Sequence, residues 1–200
     1  MSVSHIFKLS LTLFGLVLFP KNEKPLTNNW VICENSILVV NGSTNINKFS
    51  CSINSYTNVD TLSIELDKIN KKIVLKGAMN IAISGFDCNN SMMTKELRKT
   101  LKQEEFPVMQ VYFLSLNSPS NIYQNQTNLK GTVAIQIAGV KKKFDIYYTI
   151  SIADNGILHM SANKDINFSD FNLIPPRKMG RLVQAKDKLN VLLDLKMKSI

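Results

Sequence analysis

Apolar and polar residues alternate most clearly along residues 131–152. A period of two is the pattern of a β-strand, and the short basic corner at residues 138–141 divides the stretch into two strands, which predicts an antiparallel hairpin. Such a hairpin is not stable alone in water, so the rest of the chain must cover its apolar face. The residues on that face are Val133, Ile135, Ile137, Phe144, Ile146, Tyr148, Ile150 and Ile152.

The same alternation recurs along the chain and is interrupted once. Between residues 91 and 105 the apolar residues Met93, Leu97 and Leu101 fall four apart, which predicts a helix that begins at an N-cap Ser91 and ends before Pro107. Eight or more short antiparallel strands with one inserted helix indicate an all-β sandwich or barrel, and strong alternation in the terminal strands favours closure into a barrel of about eight strands. The further predicted strands are 36–40, 46–53, 61–67, 73–84, 108–116, 157–162, 165–168 and 189–197.

Length and composition fit one globular domain preceded by a targeting segment. The chain has 200 residues, of which 44% are hydrophobic. Residues 1–20 combine one firm positive charge with an apolar run too short to cross a bilayer, which indicates a secretory signal peptide or an uncleaved N-terminal anchor. A buried N-terminal helix is the alternative. Residues 21–29 are polar and are interpreted as a linker, so the predicted domain spans 30–200.

The basic charge is distributed along the chain. Lys and Arg outnumber Asp and Glu by 24 to 15. Basic residues scattered in this way are typical of an ordinary solvent-exposed surface. The cluster on the predicted helix (Lys95, Arg98, Lys99, Lys102) is likewise interpreted as a solvated face, with membrane-surface contact as the functional alternative. Nucleic-acid binding would need exposed aromatic residues in a basic groove, whereas Tyr148 shares the inward face, so no nucleic-acid partner is expected.

The three cysteines favour a disulfide over a metal site. Cys33, Cys51 and Cys88 have no C-x-x-C spacing, and no metal site is expected. Cys51 lies on a predicted strand and Cys88 in a loop after another, which makes Cys51–Cys88 the favoured pair in an oxidising compartment. Three buried free thiols are the alternative.

Catalytic chemistry is poorly represented. His159 is the one histidine after the leader, and the sequence has no phosphate-binding loop, dinucleotide fingerprint or nucleophile elbow. The chain is therefore predicted not to be an enzyme and to need no cofactor. A lipid-modifying enzyme and a filled structural barrel with a protein partner are the alternatives.

Two interpretations of the barrel interior are possible, a packed core or a cavity that encloses one ligand, and the alternation of residues does not distinguish them. A purely apolar site limits the ligand. Micromolar binding corresponds to about −8 kcal/mol, association costs at least about 4 kcal/mol, and each buried methylene returns about 0.8 kcal/mol. Roughly fifteen buried methylenes are then needed, so such a ligand must have a long tail.

Four segments resemble the YceI-like family of bacterial exported proteins and occur in the same order along the chain. They are GSTNINKFSCSI, SMMTKELRKTLKQEEFPVMQVYF, KGTVAIQIAGVKKKFDI and INFSDFNLIPP, and the resemblance covers nearly everything after the leader. It implies a lipocalin-like antiparallel barrel whose interior holds a polyisoprenoid lipid, such as a long-tailed quinone, in the periplasm or cell envelope. Cys51 and Cys88 also resemble positions in a cysteine-containing branch of the family.

The resemblance implies a set of lipid-binding residues and a non-catalytic role. The chain is expected to bind or carry an isoprenoid or quinone-like lipid as its ligand, held by burial of the tail. The lining implied in this way consists of Phe49, Ile81, Ile83, Val111, Phe113, Ile135, Ile137, Ile146, Tyr148, Val191 and Leu193, with Phe171 at the mouth.

Overall fold

The fold is a closed antiparallel β-barrel with one short helix at one end. The computed structural model describes residues 27–67, 72–117, 127–153, 155–178 and 182–200, so the predicted leader and most of the predicted linker lie outside the described residues. The strands are β1 (Thr27–Ile32), β2 (Ile37–Ser43), β3 (Lys48–Ile53), β4 (Thr61–Asp67), β5 (Lys72–Lys76), β6 (Ala78–Ala82), β7 (Val108–Asn117), β8 (Thr127–Ile137), β9 (Val140–Ile152), β10 (Leu158–Asn167), β11 (Arg177–Lys178), β12 (Val183–Gln184) and β13 (Lys188–Ser199), and the helix is α1 (Ser91–Thr100).

Eight of these strands form a ring in the order β1–β4–β5–β7–β8–β9–β10–β13, and β13 pairs again with β1. This confirms the predicted all-β barrel of about eight strands. Every strand of the ring has a neighbour on both sides, which limits the strand edge that could pair with other chains. Strands β11 and β12 form a separate small sheet.

Two pairs of short strands divide the barrel into two halves. On one edge of β13, β1 pairs with residues 197–199 and β2 pairs with residues 190–194. On one edge of β7, β5 pairs with residues 115–117 and β6 with residues 108–112. We call the half with β2, β3, β6 and α1 the helix end, and the half with β1, β4 and β5 the β1 end.

Gly77 explains why the predicted strand 73–84 is two strands. Its φ is +148°, and a Cβ atom at this position would lie 2.4 Å from the Thr61 carbonyl oxygen, so only glycine fits. The chain breaks there between β5 and β6, and the Gly77 carbonyl accepts from the Phe113 amide at 3.2 Å. Residues 83 and 84, which were predicted to end this strand, instead belong to a 3-10 turn at Ile83–Gly85.

The β8–β9 hairpin closes through a two-residue turn at Ala138 and Gly139. Their φ angles are +49° and +80°. Positive φ at both central residues is the geometry whose twist matches an antiparallel pair. The turn fixes the register from Ile137 opposite Val140 to Thr127 opposite Ile150, so the predicted face is buried at Val133, Ile146 and Tyr148, while Ile152 at the far end is exposed.

Helix α1 is shorter than predicted, and its N-cap lies one residue before the predicted one. Asn90, not Ser91, is the N-cap, and its side-chain oxygen accepts from the Met93 amide at 3.0 Å. The helix ends at Thr100 because Lys102 adopts a left-handed conformation (φ +55°), five residues before Pro107. Arg98 is not part of a solvated basic face: its Nη2 donates to the Phe86 carbonyl at 2.8 Å, which holds the helix against the segment before it.

Two further strands differ from the prediction. β1 begins at Thr27, inside the predicted linker, because residues without clear alternation are held there by pairing with β4 and β13. β10 is one strand rather than two short ones, because its ladder with β13 is continuous from Leu158 opposite Met197 to Asn167 opposite Lys188.

The outer edge of β3 is closed without a further strand. Ser52 and Asp87 exchange two backbone hydrogen bonds of 2.7 and 2.9 Å, and beside them Cys51 and Cys88 form the predicted disulfide. Cys33 is a free thiol. The disulfide therefore fastens β3 to the segment that leads into α1.

Removing the Cys51–Cys88 bond should destabilise the fold strongly. The bond joins positions 37 residues apart, and a loop of that size gives up to about 4 kcal/mol by restricting the unfolded chain. We expect the double variant Cys51→Ala/Cys88→Ala to lose about 2–4 kcal/mol in urea unfolding. Cys33→Ala is the control and should lose much less, and equal midpoints for the double variant and the wild type would contradict a structural role for the bond.

Candidate functional site

The helix end of the barrel encloses an apolar cavity of about 70 Å³. Strands β2, β7, β8, β9, β10 and β13 form its wall, and Phe86, Leu97 and Leu101 close it from the α1 side. The β1 end, in contrast, is filled by side chains that are at most 1% exposed, such as Leu62, Phe113, Leu195 and Met197. The wall residues are Leu38, Val40, Met109, Val111, Val133, Ile135, Ile137, Ile146, Tyr148, Ala162, Lys164, Ile166, Leu189, Val191 and Leu193.

Seven of the twelve residues expected to bind lipid line this cavity. They are Val111, Ile135, Ile137, Ile146, Tyr148, Val191 and Leu193. They come from four strands, β7, β8, β9 and β13, and the register of the ring places them on one inner surface.

The other five expected residues lie elsewhere in the core. Ile81, Ile83 and Phe113 are almost fully buried but do not reach the cavity. Phe49 is half-buried, and its ring covers Gly42 on the neighbouring strand so closely that a Cβ atom on Gly42 would lie 2.2 Å from it. Phe171 lies in the Phe168–Phe171 turn, with its ring centre 6.0 Å from that of Phe144.

Two cavity groups are polar, Tyr148 and Lys164. Tyr148 is 1% exposed and, in the part of the chain that the structure describes, its hydroxyl has no hydrogen-bond partner. Burial raises the pKa of the phenol, so the group remains a protonated donor. A buried hydroxyl without a partner costs about 1–3 kcal/mol relative to a satisfied one.

Lys164 is the charged residue that sequence reasoning missed. It follows Ala162 on the inward face of β10, but dividing β10 into two short strands left it between them. Continuous alternation through Met160, Ala162, Lys164 and Ile166 was the signal that could have placed it inward. Among the described residues its Nζ has no hydrogen bond and no ion pair within 4 Å; the Phe144 ring centre lies 5.9 Å away.

The residues considered for catalysis are outside the cavity. His159 is half-buried on β10, on the face opposite Met160 and Ala162. Asp165 projects to the outer side, where it accepts from Asn190 at 2.8 Å and pairs with Lys188 at 2.7 Å. In the part of the chain that the structure describes, no group of three His, Cys, Asp or Glu residues could hold a metal ion, and no helix is long and apolar enough to cross a membrane.

The Phe168–Phe171 turn fixes the wall beside the cavity. Asp170 accepts from the Asn167 amide at 2.8 Å and pairs with Lys142 on β9. Burial acts to raise the pKa of Asp170, but the hydrogen bonds from Lys142 and Asn167 outweigh it and the pKa lies below its ordinary value of 3.8. The ionised carboxylate thus joins the end of β10 to β9.

Comparisons with solved structures agree with this architecture. A polyisoprenoid-binding domain from Saccharophagus degradans aligns with a TM-score of 0.60 at 9% identity, over 86% of this chain and 98% of that one. BcnA from Burkholderia cenocepacia aligns at 0.59 with 12% identity, over 80% and 94%. A mutant of the Campylobacter jejuni YceI protein aligns at 0.51 with 20% identity, over 68% and 78%.

Comparison with models of protein families and with curated proteins finds no match for this chain. At the identities above, the structural likeness establishes the fold. The molecule is a lipocalin-like antiparallel barrel. More narrowly, its fold is that of the YceI-like proteins, which confirms at the level of fold the resemblance seen in the sequence.

Filling the cavity should cost less than overpacking the β1 end. Ala162→Leu and Leu195→Phe each add three carbon atoms to an inward position, but only Ala162 lines the cavity. We expect Leu195→Phe to lose about 1–3 kcal/mol in urea unfolding and Ala162→Leu to lose little or to gain stability. Equal losses would show that the helix end is packed as tightly as the β1 end.

Asp170 should make the fold sensitive to acid. Because its folded pKa is lowered, its contribution to stability is present above about pH 4 and is lost as the pH falls through the folded pKa. We expect Asp170→Asn to lose about 0.5–2 kcal/mol at pH 7 and to lose less than the wild type between pH 7 and pH 3, measured by urea unfolding. Glu104→Gln, at an exposed carboxylate, is the control; identical acid dependence in Asp170→Asn and the wild type would contradict this role.

Proposed function

We propose that this chain is an exported, non-catalytic binding or carrier protein for a long-chain isoprenoid-type lipid, quinone-like in size, whose tail occupies the apolar interior of the helix end. The observation that carries the proposal is the cavity itself, enclosed by aliphatic side chains from six strands and the α1 segment. The shared fold supports it as well, because the Saccharophagus degradans domain, matched over 98% of its length, is a polyisoprenoid-binding domain.

A tail, not a compact ligand, fits the chemistry of this lining. Aliphatic side chains offer burial but no directional contact, so affinity must grow with the number of methylenes that leave water, about 0.8 kcal/mol each. Isoprenoid chains supply that area with a branched outline, which suits a wall of branched Val, Leu and Ile residues.

The lipid must enlarge the cavity that it occupies. A dry cavity of about 150 Å³ accommodates benzene, whereas this one measures about 70 Å³. The side that can yield is the α1 side, because Phe86, Leu97 and Leu101 belong to segments that are not part of the backbone ladder of the ring. Met109, whose unbranched side chain adapts to irregular spaces, lies on the same side.

The groups that line the cavity support binding over turnover. Among the described residues the lining offers a phenol and an ammonium but no carboxylate or imidazole. Acid–base chemistry on a lipid would need a paired acceptor for the proton within hydrogen-bond reach, which His159 and Asp165 do not provide from the outer side of β10.

Export is supported by the apolar leader and by the disulfide, since such bonds persist in oxidising compartments. We further propose that the exposed face of α1, with Met92, Lys95 and Lys99, and the exposed Lys102 just after the helix contact the anionic membrane surface from which the lipid is taken. An exposed methionine beside lysines is suited to shallow contact with a charged lipid surface.

Native mass spectrometry with lipid extraction tests the proposed function. Protein purified gently from a bacterial envelope should carry excess mass that extracts as a long-chain isoprenoid, and Ala162→Leu, which fills the cavity, should carry less. Protein that keeps its bare polypeptide mass after loading with long-chain quinones would refute lipid carriage. Incubation of the bound lipid with the wild type and His159→Ala should leave the lipid chemically unchanged; turnover that His159→Ala abolishes would refute the non-catalytic role.

A further inference from the structure

The barrel wall between β9 and β10 is hydrogen-bonded over only part of its length. Their ladder runs from Leu158 opposite Ile152 to Ala162 opposite Tyr148 and stops there. Yet β9 keeps its ladder with β8 back to Val140, and β10 keeps its ladder with β13 as far as Asn167. Residues 143–147 of β9 and 163–167 of β10 therefore flank a break in the wall, which we call the side seam.

The side seam has fixed boundaries. At the β1 end it is bounded by the β9–β10 ladder itself. At the helix end it is bounded by the Phe168–Phe171 turn, through the ring contact of Phe171 with Phe144 and the ion pair of Asp170 with Lys142. A gap held at both ends is a defined part of the architecture rather than a frayed edge.

The side seam lies between the cavity and an outer cleft on the solvent side of the wall. The outer cleft is lined by Lys130, Asp145, Ile146, Tyr147, Asn163, Lys164, Asp165 and Asn190. Ile146 and Lys164 line the cavity as well. One apolar and one cationic residue thus border both the apolar interior and the cleft on the solvent side of the wall.

The charges around the side seam leave Lys164 without a counter-ion. Asp145 pairs with Lys130 at 2.7 Å, and Asp165 pairs with Lys188 at 2.7 Å. The Lys164 ammonium is close enough to lower the pKa of both aspartates slightly, after the larger effects of their own partners, but it contacts neither. Together with Lys143, which also lies on the seam segment of β9, four lysines against two aspartates leave two excess positive charges here.

Tyr148 gives a second, independent indication that a polar group is received in this cavity. Among the described residues its buried hydroxyl has no partner. The residue lies on β9 where the ladder ends and the side seam begins, and its ring packs inside the barrel against Gly131 of β8. A buried donor that lacks an acceptor in the protein regains a hydrogen bond when a ligand supplies one.

We propose that the polar head of the lipid lies at the side seam, where Lys164 Nζ donates to an acceptor oxygen of the head, and that the tail runs from there toward α1. This inference rests on the proposed function and adds the orientation of the lipid. Because of the excess positive charge, an anionic oxygen is held more tightly than a quinone carbonyl, and a tail without a head gains nothing at the seam.

Three probes with a tail of the same length test the orientation: geranylgeranyl phosphate, menaquinone-4 and the headless hydrocarbon phytene. Affinities are measured by native mass spectrometry titration, at two salt concentrations. The wild type should bind the phosphate most tightly and the hydrocarbon least. Lys164→Met should weaken the phosphate about tenfold or more, weaken the quinone less, and leave the hydrocarbon unchanged.

Matched variants separate the head contact from a structural effect. Lys164→Arg should keep most of the affinity for the phosphate. Lys198→Met removes an exposed lysine at the β1 end, which does not line the cavity, and should leave all three affinities close to wild type. Tyr148→Phe should weaken the phosphate or the quinone and leave the hydrocarbon unchanged.

Two results would contradict the proposals, and they can be told apart. If Lys164→Met binds the phosphate as the wild type does, or loses the hydrocarbon to the same extent, the head is not held by Lys164 and the inference is overturned while lipid carriage stands. If the wild type binds none of the three probes, the proposed function itself fails.

Discussion

The closure of β3 onto the segment before α1 is the constraint on which the candidate site depends. β3 pairs with β2 on one edge, and its other edge is satisfied by the Ser52–Asp87 hydrogen bonds and the adjacent disulfide. The same fastening brings Phe86 and α1 against the barrel, where Leu97 and Leu101 close the cavity. The short segment before α1 thus covers the otherwise unpaired edge of β3 and also holds the helix that closes the barrel end.

Much of this fold follows from local pattern. The β8–β9 hairpin, the single helix and the closed barrel could be predicted because alternation, a four-residue spacing and proline act over a few neighbouring residues. The missed elements depend on distant partners: β1 has little alternation of its own and is held by β4 and β13, and the break at Gly77 depends on the Thr61 carbonyl across the sheet. The N-cap was predicted one residue too late, because Ser and Asn both cap helices and local pattern does not choose between Ser91 and Asn90.

The candidate site was predictable in part, and the reason is geometric. Alternation places Val111, Ile135 and Phe113 alike on the inner face, but it does not say at which height in the barrel side chains meet and at which height they leave space. Phe113 therefore lies in the packed half, while Val111 and Ile135 line the cavity. Lys164 was missed for a different reason. A lysine among apolar residues was interpreted as the end of a strand, whereas it belongs to the inner face of the continuous strand β10.

The two halves of the barrel also differ in what each needs in order to open. The β1 end is a continuous ladder around well-packed side chains. The helix end, in contrast, contains the side seam and is closed by one short helix and the Cys51–Cys88 disulfide. Because it has fewer backbone hydrogen bonds and an unfilled core, we expect the helix end to open locally more readily than the β1 end. We expect amide protons at the helix end to exchange while the β1 end stays folded. Under the proposed function, loading and release of the lipid would then require less than the free energy of global unfolding.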